Sequence, residues 1–136
     1  MNTNDAEHFS FYLETLNIKM NDNVLVLTSH YYYDLNEIRN IRTLIHAKEL
    51  NHVDDLPNLM SNMMKGLSKN TQVIGCFIDN KLRYKGKLGY WLSHFTELKD
   101  NNYLSRKHVI KLFIKYGLHI VDITEIGGIT YFCIKR

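Results

Sequence analysis

Thr71-Gln72-Val73-Ile74-Gly75-Cys76-Phe77-Ile78 holds the key to the architecture of this chain. It has no strict apolar–polar alternation, so it reads as a strand covered on both faces, as strands inside parallel sheets are. Upstream, Asn51-His52-Val53-Asp54-Asp55-Leu56-Pro57 opens a helix. Two acids suit its start, and proline is tolerated in a first turn. Leu56, Leu59, Met60, Met63 and Leu67 make its buried face, with Gly66 and Lys69-Asn70 near its end. The helix and strand together bear on the short apolar piece before them. Thr43-Leu44-Ile45 either extends a helix Asp34–Asn40, capped by Asp34 with Glu37 completing a capping box, or forms a second strand within Ile41–Ala47. The order of elements that follows favours the strand.

Further out, Val24-Leu25-Val26-Leu27 is apolar at every position and reads as another strand covered on both faces. Asp5 to Asn17 reads as a helix, capped by Asn4 or Asp5, with Phe9, Tyr12, Leu13 and Leu16 on one face. Downstream, Asp79 to Gly89 (DNKLRYKGKLG) is a basic, glycine-bearing loop, and Tyr90 to Leu98 a short helix. Ser105 caps a helix that buries Val109, Leu112, Phe113 and Tyr116 and stops at Gly117. Leu118–Ile126 and Ile129–Lys135 are strands joined at Gly127-Gly128, a hairpin signal. Strands alternating with helices argue for an α/β layered fold.

Composition narrows the class. The chain has 136 residues, 45% of them apolar, which is enough for one domain (1–136) and too short for two ordinary ones. Charged residues are 23%, against disorder, and no apolar run approaches the roughly 18–20 residues that span a bilayer. The start MNTNDAEH is not a signal peptide, so a soluble cytoplasmic protein with no membrane partner is expected. Two cysteines, Cys76 and Cys133, make neither a disulfide scaffold nor a zinc site by themselves, and a net charge of +3 does not by itself imply nucleic acid.

Several residues could carry chemistry. His30 with Asp34, and His52 with Asp54 and Asp55, have the composition of acid–base pairs or metal ligands. All three acids sit at helix starts, where caps belong, and that reading is preferred. His46 and His52 lack the cysteine spacing of a zinc site. Cys76 and Cys133, inside apolar strands, read as core. Lys81, Arg83, Lys85 and Lys87 with Tyr84 form a dense basic stretch, and Arg106, Lys107, Lys111 and Lys115 a basic rim. Such clusters contact phosphates, and a nucleic-acid partner is possible through Lys81, Arg83, Lys85 and Lys87.

This order of elements resembles the class I S-adenosylmethionine-dependent methyltransferases. Leu16 to Leu27 is similar to that family's lead-in and first strand. Leu50 to Pro57, the helix to Leu67 and the strand from Thr71 resemble the stretch after its fourth strand. Leu104-Ser105 to Gly117 and Leu118 to Arg136 resemble its last helix and closing hairpin. The resemblance implies a Rossmann-like three-layer sandwich, with a mostly parallel sheet of about five strands closed by an antiparallel hairpin. Two departures stand against an ordinary cofactor site. The first strand runs into Thr28-Ser29-His30-Tyr31-Tyr32-Tyr33, without the family's glycine-rich turn. The 23 residues between Leu27 and Asn51 are too few for the family's second and third strands with their connections.

Three functional expectations follow. The first is a methyltransferase-like domain with a degraded S-adenosylmethionine site, no cofactor or catalytic residue, and a binding or regulatory role. The second is an active small methyltransferase, with Thr28, Ser29, His30 and Asp55 at the cofactor. The third is a winged-helix-type nucleic-acid binder built from Tyr90–Leu98 and Ser105–Arg136. Without second and third strands, Val24–Leu27 becomes a sheet edge with no lysine, proline or bulge to protect it. A homodimer or protein partner covering that edge is therefore expected, with Tyr31, Tyr32 and Tyr33 in the interface.

Overall fold

The computed structural model describes residues 3–20, 23–27, 41–79 and 104–136. Its elements are α1 (Thr3–Thr15), β1 (Val24–Leu27), β2 (Thr43–His46), α2 (Leu56–Gly66), β3 (Gln72–Phe77), α3 (Arg106–Lys115), β4 (His119–Ile126) and β5 (Ile129–Lys135). A single 3-10 turn, Leu50–His52, lies between β2 and α2. The segments expected as helices at Asp34–Asn40 and Tyr90–Leu98 lie outside the described residues.

The five strands form one sheet in the order β1-β2-β3-β5-β4. β1 pairs parallel with β2, and β2 with β3; β5 then runs antiparallel to both β3 and β4. The mostly parallel expectation thus holds for the β1-β2-β3 half, while the other half is antiparallel. Four strands point the same way and only β5 opposes them. The Thr43–Ile45 ambiguity resolves as a strand: all four residues of β2 are buried, with neighbours on both sides. The winged-helix reading is corrected here. The hairpin β4–β5 is no free wing, because β5 lies inside the sheet and pairs with β3 from Gln72 to Phe77.

Alternation along the strands sorts two cores. Leu44, Val73, Phe77, Phe132 and Ile134 face α2 and α3, meeting Leu59, Met60, Met63, Val109, Leu112 and Phe113. Ile45, Ile74, Cys76, Tyr131 and Cys133 face the opposite way, onto Phe9 and Tyr12 of α1. The result is three layers. Gly75 is needed by this packing: a Cβ there would sit 2.5 Å from Cζ of Phe132, whose ring packs on Phe113 at 4.9 Å. β1 departs from the expectation of cover on both faces. Val26 is 41% exposed, and β1 ends the sheet among the described residues.

The ends of the helices follow local chemistry. Asp55 accepts from the backbone N–H of Asn58 and starts α2; Ser105 accepts from that of His108 and starts α3. Gly117, at φ 76°, closes α3 with the N–H of Leu118 donating to the carbonyl of Phe113. Gly127 and Gly128 both have positive φ, as a tight two-residue hairpin turn requires. β4 contains an irregularity between Ile120 and Asp122, so that Asp122 rather than Val121 stands opposite Cys133. This turns the Asp122 carboxylate toward α1, where it accepts from the Tyr12 hydroxyl at 2.8 Å. Among the described residues no helix is long and apolar enough to cross a membrane.

Candidate functional site

In open α/β sheets, ligands bind beyond the carboxyl ends of parallel strands, where the chain turns toward its helices. Here those ends are Leu27, His46 and Phe77. His46 is wholly buried, and its Nδ1 lies 2.9 Å from the carbonyl of Lys48. A carbonyl can only accept, so Nδ1 carries the proton in this contact. Asn51 is 5% exposed and clamps the end of β3. Its Nδ2 donates to the carbonyl of Ile78 at 2.9 Å, and its Oδ1 accepts from the N–H of Ile78 at 2.7 Å. The side-chain amide thereby copies a strand partner, fixing the 3-10 turn against the sheet. Asp79 follows, buried, with Oδ2 3.3 Å from the backbone nitrogen of Arg106. It ties the carboxyl end of β3 to the positive end of α3.

A cleft of about 520 Å³ opens beside this turn. Leu50, Val53, Leu56, Pro57, Leu104 and Leu112 supply its apolar wall; Asp54 stands on one side and His108, Lys111 and Lys115 on the other. A second cleft, about 650 Å³, lies by Asp79, Ser105, Arg106, Lys107, Ile110 and Lys111. The two share Lys111 and flank α3.

The expected site residues fall out as follows. Thr28, Ser29, His30, Tyr31, Tyr32 and Tyr33 lie outside the described residues, as do Lys81, Arg83, Lys85 and Lys87. Asp55 is exposed and acts as the cap of α2. His52 is exposed, with Nε2 3.7 Å from Glu49. Among the described residues, His52 is paired with neither Asp54 nor Asp55, so the expected acid–base grouping is not formed. Among the described residues, no three His, Cys, Asp or Glu side chains converge as metal ligands. Cys76 and Cys133 are both buried in the α1-side core, as their strands implied. Burial, then the nearby Asp122 carboxylate, pushes the Cys133 thiol up to about 11, which leaves it inert as a nucleophile. Burial and the bond to Asp122 likewise push Tyr12 well above the ordinary phenol range. Asn51 and Asp79 went unmarked as site residues in the sequence, because their partners are backbone groups that only the fold brings near.

In sequence the chain matches no family model and no curated protein. Its likeness is to solved structures. A S-adenosylmethionine-dependent methyltransferase from Mesorhizobium loti superposes with a TM-score of 0.55 at 11% identity, covering 76% of this chain and 68% of its own. N,N-8-amino-8-demethyl-D-riboflavin dimethyltransferase from Streptomyces davawensis gives 0.52 at 15% identity, over 96% of this chain and 39% of its own. An O-methyltransferase family 2 protein from Planctomyces limnophilus, solved in complex with apigenin, gives 0.50 at 15% identity over 70% of this chain and 30% of its own. The chain thus spans less than half the length of two of these three enzymes. At such identities the likeness speaks for architecture. Taken with the β1-β2-β3 parallel half, the antiparallel β5 and helices on both faces, it shows that this chain has the fold of the class I S-adenosylmethionine-dependent methyltransferases.

Proposed function

We propose that this chain is a methyltransferase-like domain that has kept the sheet and given up cofactor chemistry, and that it acts by binding a protein partner. The observation that carries this reading is the connection between β1 and β2. These strands are direct parallel neighbours, joined by the 15 residues 28–42. The classic doubly wound order places two further strands between its first and fourth in sequence, and the second carries the acid that holds the ribose. Fifteen residues cannot hold two strands, their helices and their turns. Three carboxylates near the strand ends are also engaged: Asp55 caps α2, Asp79 faces the start of α3, and Glu49 stands by His52. S-adenosylmethionine would remain the cofactor if the domain were active.

The partner in this reading is most simply a second copy, paired along the outer edge of β1 across a twofold axis, with Tyr31, Tyr32 and Tyr33 beside the contact. The place of β1 at the end of the sheet, among the described residues, supports it. Calorimetric titration of the chain with S-adenosylmethionine and S-adenosylhomocysteine tests the loss of cofactor chemistry. No binding heat is expected; micromolar binding of either would return the domain to the active methyltransferases.

A further inference from the structure

The two helical layers present opposite charge to solvent. α3 carries Arg106, Lys107, His108, Lys111 and Lys115 and no acid. Its core face is Val109, Leu112 and Phe113; its outward face is Lys107, Lys111 and Lys115, with Ile114 65% exposed among them. α1 carries three acids and no lysine or arginine. Phe9 and Tyr12 face the sheet, so Glu7, Phe11 and Glu14 share the outward stripe, spaced four and three residues apart. Phe11 is 56% exposed. Each outer face is therefore an exposed apolar side chain set among charges of one sign, and the signs are opposite. The lysines and glutamates of the two faces form no ion pair among the described residues.

Within one molecule the faces cannot meet, because the sheet lies between them. Between two molecules they fit. We infer that the α3 face of one copy docks on the α1 face of the next, with Ile114 against Phe11 and Lys107, Lys111 and Lys115 against Glu7 and Glu14. Like charges on matching helices would repel in a twofold contact of either face with itself. The contact is thus heterologous, joining unlike surfaces, and it propagates from copy to copy unless a ring closes. The helices have 13 and 10 residues, about 20 and 15 Å long, which sets a small, weak interface. Exposed ion pairs supply most of its selectivity, so it is sensitive to salt. It is independent of the β1 edge and of the fate of the cofactor site.

Sedimentation equilibrium over a concentration series tests it. At about 10 mM salt the weight-average mass is expected to rise past twice the 16.1 kDa protomer. It should fall at about 1 M salt, where the screening length drops from about 30 Å to about 3 Å. One triple and one double variant separate this contact from others: Lys107→Glu/Lys111→Glu/Lys115→Glu on α3, and Glu7→Lys/Glu14→Lys on α1. All five side chains are exposed, so each variant should melt with the wild type. Each alone is expected to lose the salt-sensitive association, and an equimolar mixture to regain it, since each then supplies the face the other lacks. A mass insensitive to salt and to both variants would belong to the β1 edge and overturn the inference. A mixture that stays dissociated would overturn it too, as would a chain monomeric at low salt that shifts duplex DNA instead, which would assign the α3 face to phosphates.

Discussion

Replacing Asn51 by alanine tests how the carboxyl end of the sheet is held. The side chain satisfies both backbone groups of Ile78, at 2.9 and 2.7 Å, from a position only 5% exposed. Removing it leaves a half-buried donor and a half-buried acceptor without that partner. Each such group costs about 1–3 kcal/mol, and partial entry of water at the strand end places the sum near the lower part of the range, about 3 kcal/mol. For a domain of this size each kcal/mol moves the melting temperature by about 3–5 °C, so a fall of roughly 10 °C is expected. Asn51→Asp sharpens the test. Its carboxylate still accepts from the N–H of Ile78 but repels the carbonyl, and burial raises its pKa. A raised acid stabilises the fold only while protonated, so this variant is expected to be weaker at pH 7 than at pH 4 relative to wild type. Circular dichroism melts at the two pH values measure both effects. If Asn51→Ala melts within about 2 °C of wild type, the clamp does not hold the turn and the site geometry built on it fails.

Four further outcomes are expected. Gly127→Ala should destabilise more than Gly128→Ala: both sites have positive φ, but only at Gly127 does the new Cβ meet another group, the His8 ring, which must then shift; urea melts rank the two. Tyr12→Phe loses the bond to Asp122 while Thr124 still donates to that carboxylate, so a loss of about 1 kcal/mol is expected in the same assay. Cys133 is held protonated up to about 11, above its unfolded value, so its contribution is complete below the unfolded pKa and is lost as pH rises through about 11; Tyr12 acts in the same sense, and melts from pH 8 to 11 should fall monotonically. Val26→Lys places a charge on β1, the last strand of the sheet among the described residues; light scattering should then read a protomer at 1 M salt if β1 pairs two copies, whereas an unchanged dimer would remove β1 from the interface.

The fold was legible where local chemistry and periodicity agree. Val24–Leu27 and Ile129–Lys135 match the strands read from their apolar runs, and Ser105, Asp55 and Gly117 end their helices as their residue types require. The Thr43–His46 strand was readable only from its neighbours, since four residues are too few to show a period. Two features were out of reach. Whether an apolar run is covered on both faces depends on its place in the sheet, which is why β1, at the end of the order, exposes Val26 while β3, at its centre, buries everything from Val73 to Phe77. The irregularity at Val121 leaves no trace in a β-branched, apolar–polar stretch, yet it decides which face Asp122 joins.

The candidate site was less legible than the fold for a reason visible in its hydrogen bonds. Acid and histidine motifs draw attention because their chemistry is carried by side chains alone. Here Asp55 and His52, which fit such a motif, point to local and exposed tasks. Asn51 and Asp79, which fit none, hold the turn and the last helix to the sheet through backbone groups 27 residues away. A short polar side chain that pairs with backbone has no sequence partner to covary or to space against; its signature is geometric. The consequence is a way of telling scaffold from chemistry in this fold. Asn51 and Asp79, at the carboxyl end of β3, are bound to the main chain, and a group so bound has little capacity left for a ligand.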